Sequence, residues 1–245
     1  MYDYILYSTI TLLLSILFSM GGAGSGVALI PILNFLGVDF TLAKAVGLFA
    51  GAMTTITSTV MNIKRGIVDY KFVFPIASMM LIFAPIGAYS SRFIDEEIVK
   101  FLFMFMLFYS ASMMMFGKKK ALFHVESNLA LALVGTIVGF LAGLLGVGGG
   151  NILIPLLALL GFEPKKVAIA VSFVVPFSAL SSFFTYASYI DIDLILLGSV
   201  AISAIVGGYI GNHIMHFKLS QVQIKKLMAI LLYMLAFKLM WYFIA

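Results

Sequence analysis

Long apolar runs follow one another along the whole chain, and they restrict the fold more than any other feature of the sequence. Eight of them lie at 4–20, 41–62, 72–91, 99–116, 129–145, 167–189, 194–216 and 226–243. A helix needs about 20 mainly apolar residues to cross the hydrocarbon core of a bilayer. Only 10% of the residues are charged, against about 25% in a typical soluble domain. We therefore predict an all-α polytopic membrane protein with about eight to ten transmembrane helices.

The chain contains one short motif twice. Gly22 to Pro31 reads GAGSGVALIP, and Gly146 to Pro155 reads GVGGGNILIP. Spaced glycines and a proline seldom coincide by chance, so we interpret the two copies as an internal duplication. The first repeat is assigned to 1–116, a basic linker to 117–128 and the second repeat to 129–245.

Charges in equivalent loops predict that the two repeats are inverted. The loop after the run 41–62 contains Lys64, Arg65 and Lys71, whereas its counterpart in the second repeat contains Asp191 and Asp193. Lys and Arg accumulate in the cytoplasmic loops of membrane proteins. We therefore predict five membrane segments per repeat, with both termini extracytoplasmic and the linker cytoplasmic. This topology places the basic loops on the cytoplasmic side of the membrane and most acidic loops on the other side. The net charge of +5 then reports orientation and requires no nucleic-acid partner.

Each glycine cluster precedes an apolar segment, at 27–37 or 152–161, that is too short to cross a bilayer alone. Transporters with inverted repeats bind substrate near the membrane midplane, where helices are broken. Glycine permits the tight turn that a break requires, and a helix N-terminus offers N–H groups and partial positive charge to an anion. We therefore predict that the two short helices meet near the midplane in an anion-binding centre.

The candidate residues of this centre belong to the two motifs. They are Gly22, Gly24, Ser25, Gly26, Gly146, Gly148, Gly149, Gly150 and Asn151. Pro31 and Pro155 are the candidate hinges of the short helices. The alternative interpretation is that the glycines only allow neighbouring helices to pack closely.

Hydroxyl side chains follow one face of the long segment after each break. They are Thr54, Thr55 and Ser58 in the first repeat and Ser178, Ser181 and Ser182 in the second. Hydroxyl donors suit the path of an oxyanion, although Ser and Thr also bond their own helix or a neighbouring one. Lys44 is an ionisable residue inside a membrane segment. We interpret it as a charge at the outer mouth that attracts substrate, or as a side chain that reaches the lipid head groups.

The two glycine signatures, the central basic linker and the length of 245 residues resemble the sulfite exporter TauE/SafE family of bacterial and archaeal permeases. The copy at Gly146 to Pro155 is the fuller match, because the first copy has Ala23 and Ser25. The resemblance implies a permease for a small anion, such as sulfite, a sulfonate or a related organic acid, in a prokaryotic plasma membrane. Substrate and lipid are the expected partners. The coupling ion, the direction of transport and assembly into a homo-oligomer are left open.

Three other functions are compatible with a polytopic membrane protein in general. A passive channel for small anions or neutral solutes would use the same paired breaks. An enzyme would need a base beside a nucleophile, yet no histidine occurs at membrane depth and the carboxylates map to loops or interfaces. No catalytic residue, metal or cofactor is therefore predicted. A structural membrane protein would not need paired glycine-broken segments.

Overall fold

A computed structural model describes residues 2–116, 127–217 and 221–244, so most of the predicted linker lies outside the described residues. These ranges contain ten α-helices and a short 3₁₀ turn at Ser91–Phe93, and no strand. The helices are α1 (Tyr2–Met20), α2 (Gly26–Phe35), α3 (Phe40–Lys64), α4 (Tyr70–Ser90), α5 (Glu96–Phe116), α6 (Asn128–Leu145), α7 (Gly150–Leu159), α8 (Pro164–Ala187), α9 (Leu194–Phe217) and α10 (Gln221–Ile244). Eight are long and apolar enough to cross a membrane, and α2 and α7 are short. The prediction of an all-α polytopic membrane protein is confirmed.

Helices α2 and α7 begin in the interior and without a side-chain cap. The side chains of Asp39, Asp69 and Ser127 accept hydrogen bonds from the first turns of α3, α4 and α6, as favourable N-caps do. Neither α2 nor α7 has a side-chain cap. Both begin at buried glycines, Gly26 and Gly150. Two helix N-termini therefore lie inside the bundle without the usual side-chain partner.

The helices of the two halves pack in matching pairs. Helix α1 packs along α9 as α6 packs along α4, and α3 contacts α9 as α8 contacts α4. Helix α2 contacts α3 as α7 contacts α8, while α3 packs on α8 and α5 on α10. This is the pattern expected when a pseudo-two-fold axis relates two copies of one five-helix unit.

Equivalent helices that touch run in opposite directions. The Phe49 ring of α3 packs on the Phe183 ring near the end of α8, with centroids 4.8 Å apart. Near the end of α3, Asn62 donates a hydrogen bond of 3.0 Å to Ser172 in the first half of α8. Helices α5 and α10 are antiparallel in the same way. An inverted repeat requires such antiparallel pairs, while the orientation of the repeats in a bilayer stays a prediction.

Small residues bring two pairs of long helices into close contact. The residues of α6 that approach the α4 backbone are Gly135, Gly139 and Gly143, and a Cβ on any of them would clash with it. The equivalent positions of α1, 124 residues earlier (Gly146 against Gly22), are Thr11, Ser15 and Ser19. There the small partners come from α9, at Gly207 and Gly211. Close packing through small residues, an alternative that the sequence left open for the motif glycines, thus holds these helix pairs together.

Candidate functional site

The two glycine-rich breaks meet in the interior of the bundle. A Cβ placed on Gly150 would lie 3.7 Å from the Cβ of Ala23. Ala23 is fully buried, and so are the first residues of α2 and α7. The structure therefore brings together the starts of the two short helices, where the sequence predicts an anion-binding centre.

The two breaks use glycine in different ways. Three residues of the second break have a positive φ, of 76°, 68° and 84°, and they are Gly146, Gly148 and Gly149. Only Gly22 in the first break has this left-handed conformation, with φ 77°, which glycine adopts without steric cost. Gly24 and Gly26 instead lie against α3, and a Cβ on Gly24 would lie 2.9 Å from the Cα of Gly51. The second break depends on backbone conformation, and the first mainly on close approach.

A closed set of hydroxyl groups surrounds the first break. Ser15 donates to Ser25 at 2.9 Å, Thr54 donates to Ser15 at 3.0 Å, and Ser25 and Thr54 lie 3.2 Å apart. One turn further along α1, Ser19 lies 3.0 Å from Ser58. All five side chains are buried. Sequence reasoning missed the two serines of α1, although their spacing of four residues and their alignment with the α6 glycines signalled one helix face.

The polar groups at the second break are less satisfied. Ser178 donates to the Gly148 carbonyl oxygen at 2.7 Å and so ties α8 to the break. Ser182, one turn further along α8, is buried, and its hydroxyl has no hydrogen-bond partner among the described residues. Asn151 is 1% exposed, and its Oδ1 also lacks a partner there. The backbone carbonyl oxygen of Asn151 accepts a hydrogen bond of 3.1 Å from Ser110 of α5. Buried polar atoms without partners are rare, so these two side chains are available to a ligand.

Two predicted hydroxyls turn to their own helices instead. Thr55 donates to carbonyl oxygens one turn back in α3, and Ser181 does the same in α8. This is the alternative that the sequence left open for every such residue. Pro31 and Pro155 lie inside α2 and α7 and are buried, and their role as hinges stays a prediction.

Lys44 is buried in the bundle and does not extend to its surface. The residue is 3% exposed, and its ammonium donates to Ser91 at 2.8 Å. The same Nζ lies 5.1 Å and 4.8 Å from the ring centroids of Phe40 and Tyr186. A Cβ on Gly146 would lie 2.7 Å from the Cβ of Lys44. The stem of Lys44 thus packs on the second break, while its ammonium lines a cavity of about 360 Å³.

Polar contacts join the repeats at the opposite end of α3. Asn62 donates to Ser172 of α8 at 3.0 Å, and Arg65 donates to Asn212 of α9 at 2.8 Å. Thr59 also donates to the Ser172 carbonyl oxygen. These bonds link the end of α3 to both helices of the second repeat that it contacts.

Two carboxylates outside the membrane-length helices connect further helix ends. Lys166 lies 2.9 Å from Asp69, and its hydrogen bond lowers the pKa of that carboxyl below the usual value. Tyr4 donates to Asp193 at 2.6 Å and lowers the pKa of Asp193 in the same way. The first pair joins the starts of α4 and α8, and the second joins the starts of α1 and α9.

Eight membrane-length helices in two equivalent halves, packed around two interior helix breaks, define a multi-pass membrane protein with the architecture of a transporter. The family model described as "Sulfite exporter TauE/SafE" matches residues 7–239. The chain belongs to the sulfite exporter TauE/SafE family, and the sequence resemblance is confirmed.

Two curated relatives agree with this assignment. "Probable membrane transporter protein YunE" of Bacillus subtilis is 31% identical over an alignment of 193 residues, with a coverage of 65% of this chain and 68% of the relative. "Probable membrane transporter protein MJ0441" of Methanocaldococcus jannaschii is 32% identical over an alignment of 186 residues, with a coverage of 71% of this chain and 68% of the relative. No solved structure matches the chain. The family and these relatives identify a membrane transporter.

Proposed function

We propose that the protein is a secondary transporter for a small anion, with sulfite and short organic sulfonates as substrates, and that it works by alternating access around the paired breaks. The observation that supports this most is the meeting of two buried, uncapped helix N-termini near Ala23 and Gly150. The first N–H groups of a helix have no partner within it. Two such ends supply donors and partial positive charge to one anion.

Uncharged hydrogen-bond donors suit the binding centre of a transporter, because the bound anion must also be released. The amide of Asn151 and the hydroxyl of Ser182 lie buried with unpartnered polar atoms, and either group can donate a hydrogen bond to an oxyanion. The amide of Asn151 can turn its N–H groups to the ligand, because oxygen and nitrogen exchange places on a flip. Once the anion departs, such a centre is left without an isolated buried charge, which would be costly.

The two ends of the bundle differ as alternating access requires. A cavity reaches Lys44 at one end, whereas Asn62–Ser172 and Arg65–Asn212 hydrogen bonds join the repeats at the other. Access from one side, with polar contacts across the other, supports a transporter more than a continuous channel. Breaking these contacts while the cavity collapses would expose the centre to the opposite side.

Exchange across liposomes tests the proposal. Preloading liposomes with unlabelled sulfite is expected to accelerate the uptake of radiolabelled sulfite, because a carrier returns faster with substrate bound than empty. Gluconate-loaded liposomes and protein-free liposomes are the controls, and thiosulfate, methanesulfonate and acetate rank the substrates by competition. Uptake that follows the gradient and ignores preloading would identify a passive channel.

Membrane orientation has its own test, since we propose a prokaryotic plasma-membrane protein with both termini extracytoplasmic. The chain contains no cysteine, so single cysteines report sidedness without background. In intact cells an impermeant maleimide is expected to label the Glu97→Cys variant and to leave Lys119→Cys unlabelled until the cells are permeabilised. Labelling of Lys119→Cys in intact cells would contradict the inverted arrangement.

A further inference from the structure

The ammonium of Lys44 is a buried positive charge without a carboxylate partner. In the parts of the chain that the structure describes, ion pairs join Lys100 to Glu96 and Lys166 to Asp69, and neither includes Lys44. The residue is 3% exposed. A buried charge without a counter-ion is costly, so an anion beside this ammonium would stabilise the protein.

The cavity beside this ammonium has room for such an anion. It lies between the start of α3, the turn after α4, the start of α5 and the loop after α8, and its volume is about 360 Å³. Its walls offer the hydroxyl of Ser91 and the guanidinium of Arg92, together with the apolar side chains of Ile94 and Ile190. Ser91 accepts a hydrogen bond of 2.8 Å from Lys44 and also interacts with the Tyr186 hydroxyl, so it holds the ammonium in place at the cavity wall. A small oxyanion fits here with water or with a short organic tail.

The carboxylates on the cavity wall are already engaged. Asp39 accepts hydrogen bonds of 2.9 Å and 3.0 Å from the first turn of α3, and Glu96 lies 2.7 Å from Lys100. Arg92 packs its guanidinium on the Tyr189 ring, 5.6 Å from the centroid, and forms no ion pair with any described residue. Asp39 and Glu96 are thus engaged by other groups, whereas the wall cations Lys44 and Arg92 have no ion pair among the described residues.

We propose that this cavity is a second anion-binding site, in which the Lys44 ammonium, held in place by Ser91, binds the head of a small oxyanion such as a sulfonate. It differs from the centre between the short helices, because a buried cation holds the charge here. The stem of Lys44 packs on Gly146, so the site adjoins the second break. Its place in the transport path, just before the centre, rests on the proposed function, whereas binding itself does not.

Protection of a single cysteine tests this site directly. The Ile94→Cys variant places a thiol on the cavity wall, and methanesulfonate is the probe because it does not react with maleimides. In phosphatidylcholine nanodiscs, methanesulfonate is expected to slow labelling by N-ethylmaleimide. Adding Lys44→Met is expected to raise the half-protecting concentration about 10- to 150-fold, the usual cost of losing a bond to a charged group. Lys44→Arg, which keeps the charge, is expected to retain most of the protection.

Two controls separate binding from damage. Leu194→Cys, at a residue that is 77% exposed and does not line the cavity, is expected to be labelled equally with and without methanesulfonate. Lys44→Met removes a buried charge and shortens the side chain by only one atom, so its unfolding temperature without anion is expected to be unchanged or higher. Equal protection in Lys44→Met and the parent, or no protection in the parent, would overturn the proposal.

The remaining outcomes distinguish a soluble anion from a lipid head group, and this site from the transport centre. If the cysteine is protected in phosphatidylglycerol nanodiscs without methanesulfonate, and methanesulfonate gives no protection in phosphatidylcholine nanodiscs, the ligand is a lipid head group. That result would overturn the proposal. Lys44-dependent protection in a protein that exchanges no anion across liposomes would keep this site and contradict the proposed transport. Anion exchange across liposomes without any protection of the cysteine would support the proposed transport and contradict this second site.

Discussion

Replacing Asn151 by leucine is expected to lower the affinity for the transported anion about 10- to 150-fold, the cost of losing a hydrogen bond to a charged group. The substrate-free protein is expected to keep its stability or to gain some. The reason is that Oδ1 of Asn151 is buried without a partner, and an apolar side chain of similar shape removes that unsatisfied group. Opposite effects on binding and on stability mark a residue that serves a ligand and not the fold.

Binding of radiolabelled sulfite and thermal unfolding of the same purified samples measure both effects. Asn34→Leu is the matched control, because the amide of Asn34 donates to the Val38 carbonyl oxygen at 3.0 Å in the loop after α2. Its loss is expected to cost about 1 kcal/mol of stability and to leave affinity unchanged. Unchanged affinity in Asn151→Leu would remove the N-terminus of α7 from the binding centre.

Valine at Gly24 or Gly148 is expected to lower the transport rate more than tenfold, for a different reason at each position. At Gly24 there is no room, since even a Cβ would lie 2.9 Å from the Cα of Gly51, and overpacking costs about 1 to 3 kcal/mol. At Gly148 the nearest atom to a Cβ is 3.3 Å away. There the obstacle is the φ of 68°, which costs an L-residue about 1 to 2 kcal/mol.

Gly198→Val is the matched control, because Gly198 is an exposed residue of α9 and nothing lies within 4 Å of its Cβ position. Initial rates are compared per amount of monodisperse protein after size-exclusion chromatography, so that failure to fold is not counted as failure to transport. If Gly148→Val does not fold, Gly148→Ala, which keeps the strain and adds one carbon, gives the same comparison. Normal rates in folded Gly24→Val and Gly148→Val would exclude the breaks as the site.

The positions of the helices could be predicted from the sequence, because the length of an apolar run and the glycines that interrupt it are local properties. The run at 4–20 became α1 (Tyr2–Met20), and the short run at 152–161 became α7 (Gly150–Leu159). The glycine signature also predicted the family, since spaced glycines reflect a backbone turn that few other residues permit. Both kinds of inference depend on residues close together in the chain.

Contacts between distant helices were beyond the reach of the sequence. Thr54 and Thr55 are neighbours with the same chemistry, yet Thr54 bonds Ser15 and Ser25 while Thr55 bonds only its own helix. For Lys44 the sequence left two positions open, at the mouth or among the lipid head groups, and it is the turn after α4 and the end of α8 that enclose the side chain. Which face of a helix meets which neighbour is decided by packing across the bundle, and no single segment encodes it.

The hydroxyl groups of α1 affect which conformation the substrate-free protein would favour. Two identical inverted repeats would give inward-facing and outward-facing states of equal free energy, because a two-fold exchange converts one into the other. Here Ser19 donates to the Gly208 carbonyl oxygen at 2.8 Å, whereas its equivalent in α6 is Gly143, which has no side chain to donate. Each such bond inside a membrane protein contributes about 0.6 kcal/mol, enough for a few of them to shift an equilibrium between two states several-fold. Under the proposed alternating access, small side chains such as Ser19 would bias the resting state of the empty carrier, and exchanging Ser19 for glycine is expected to move it towards balance.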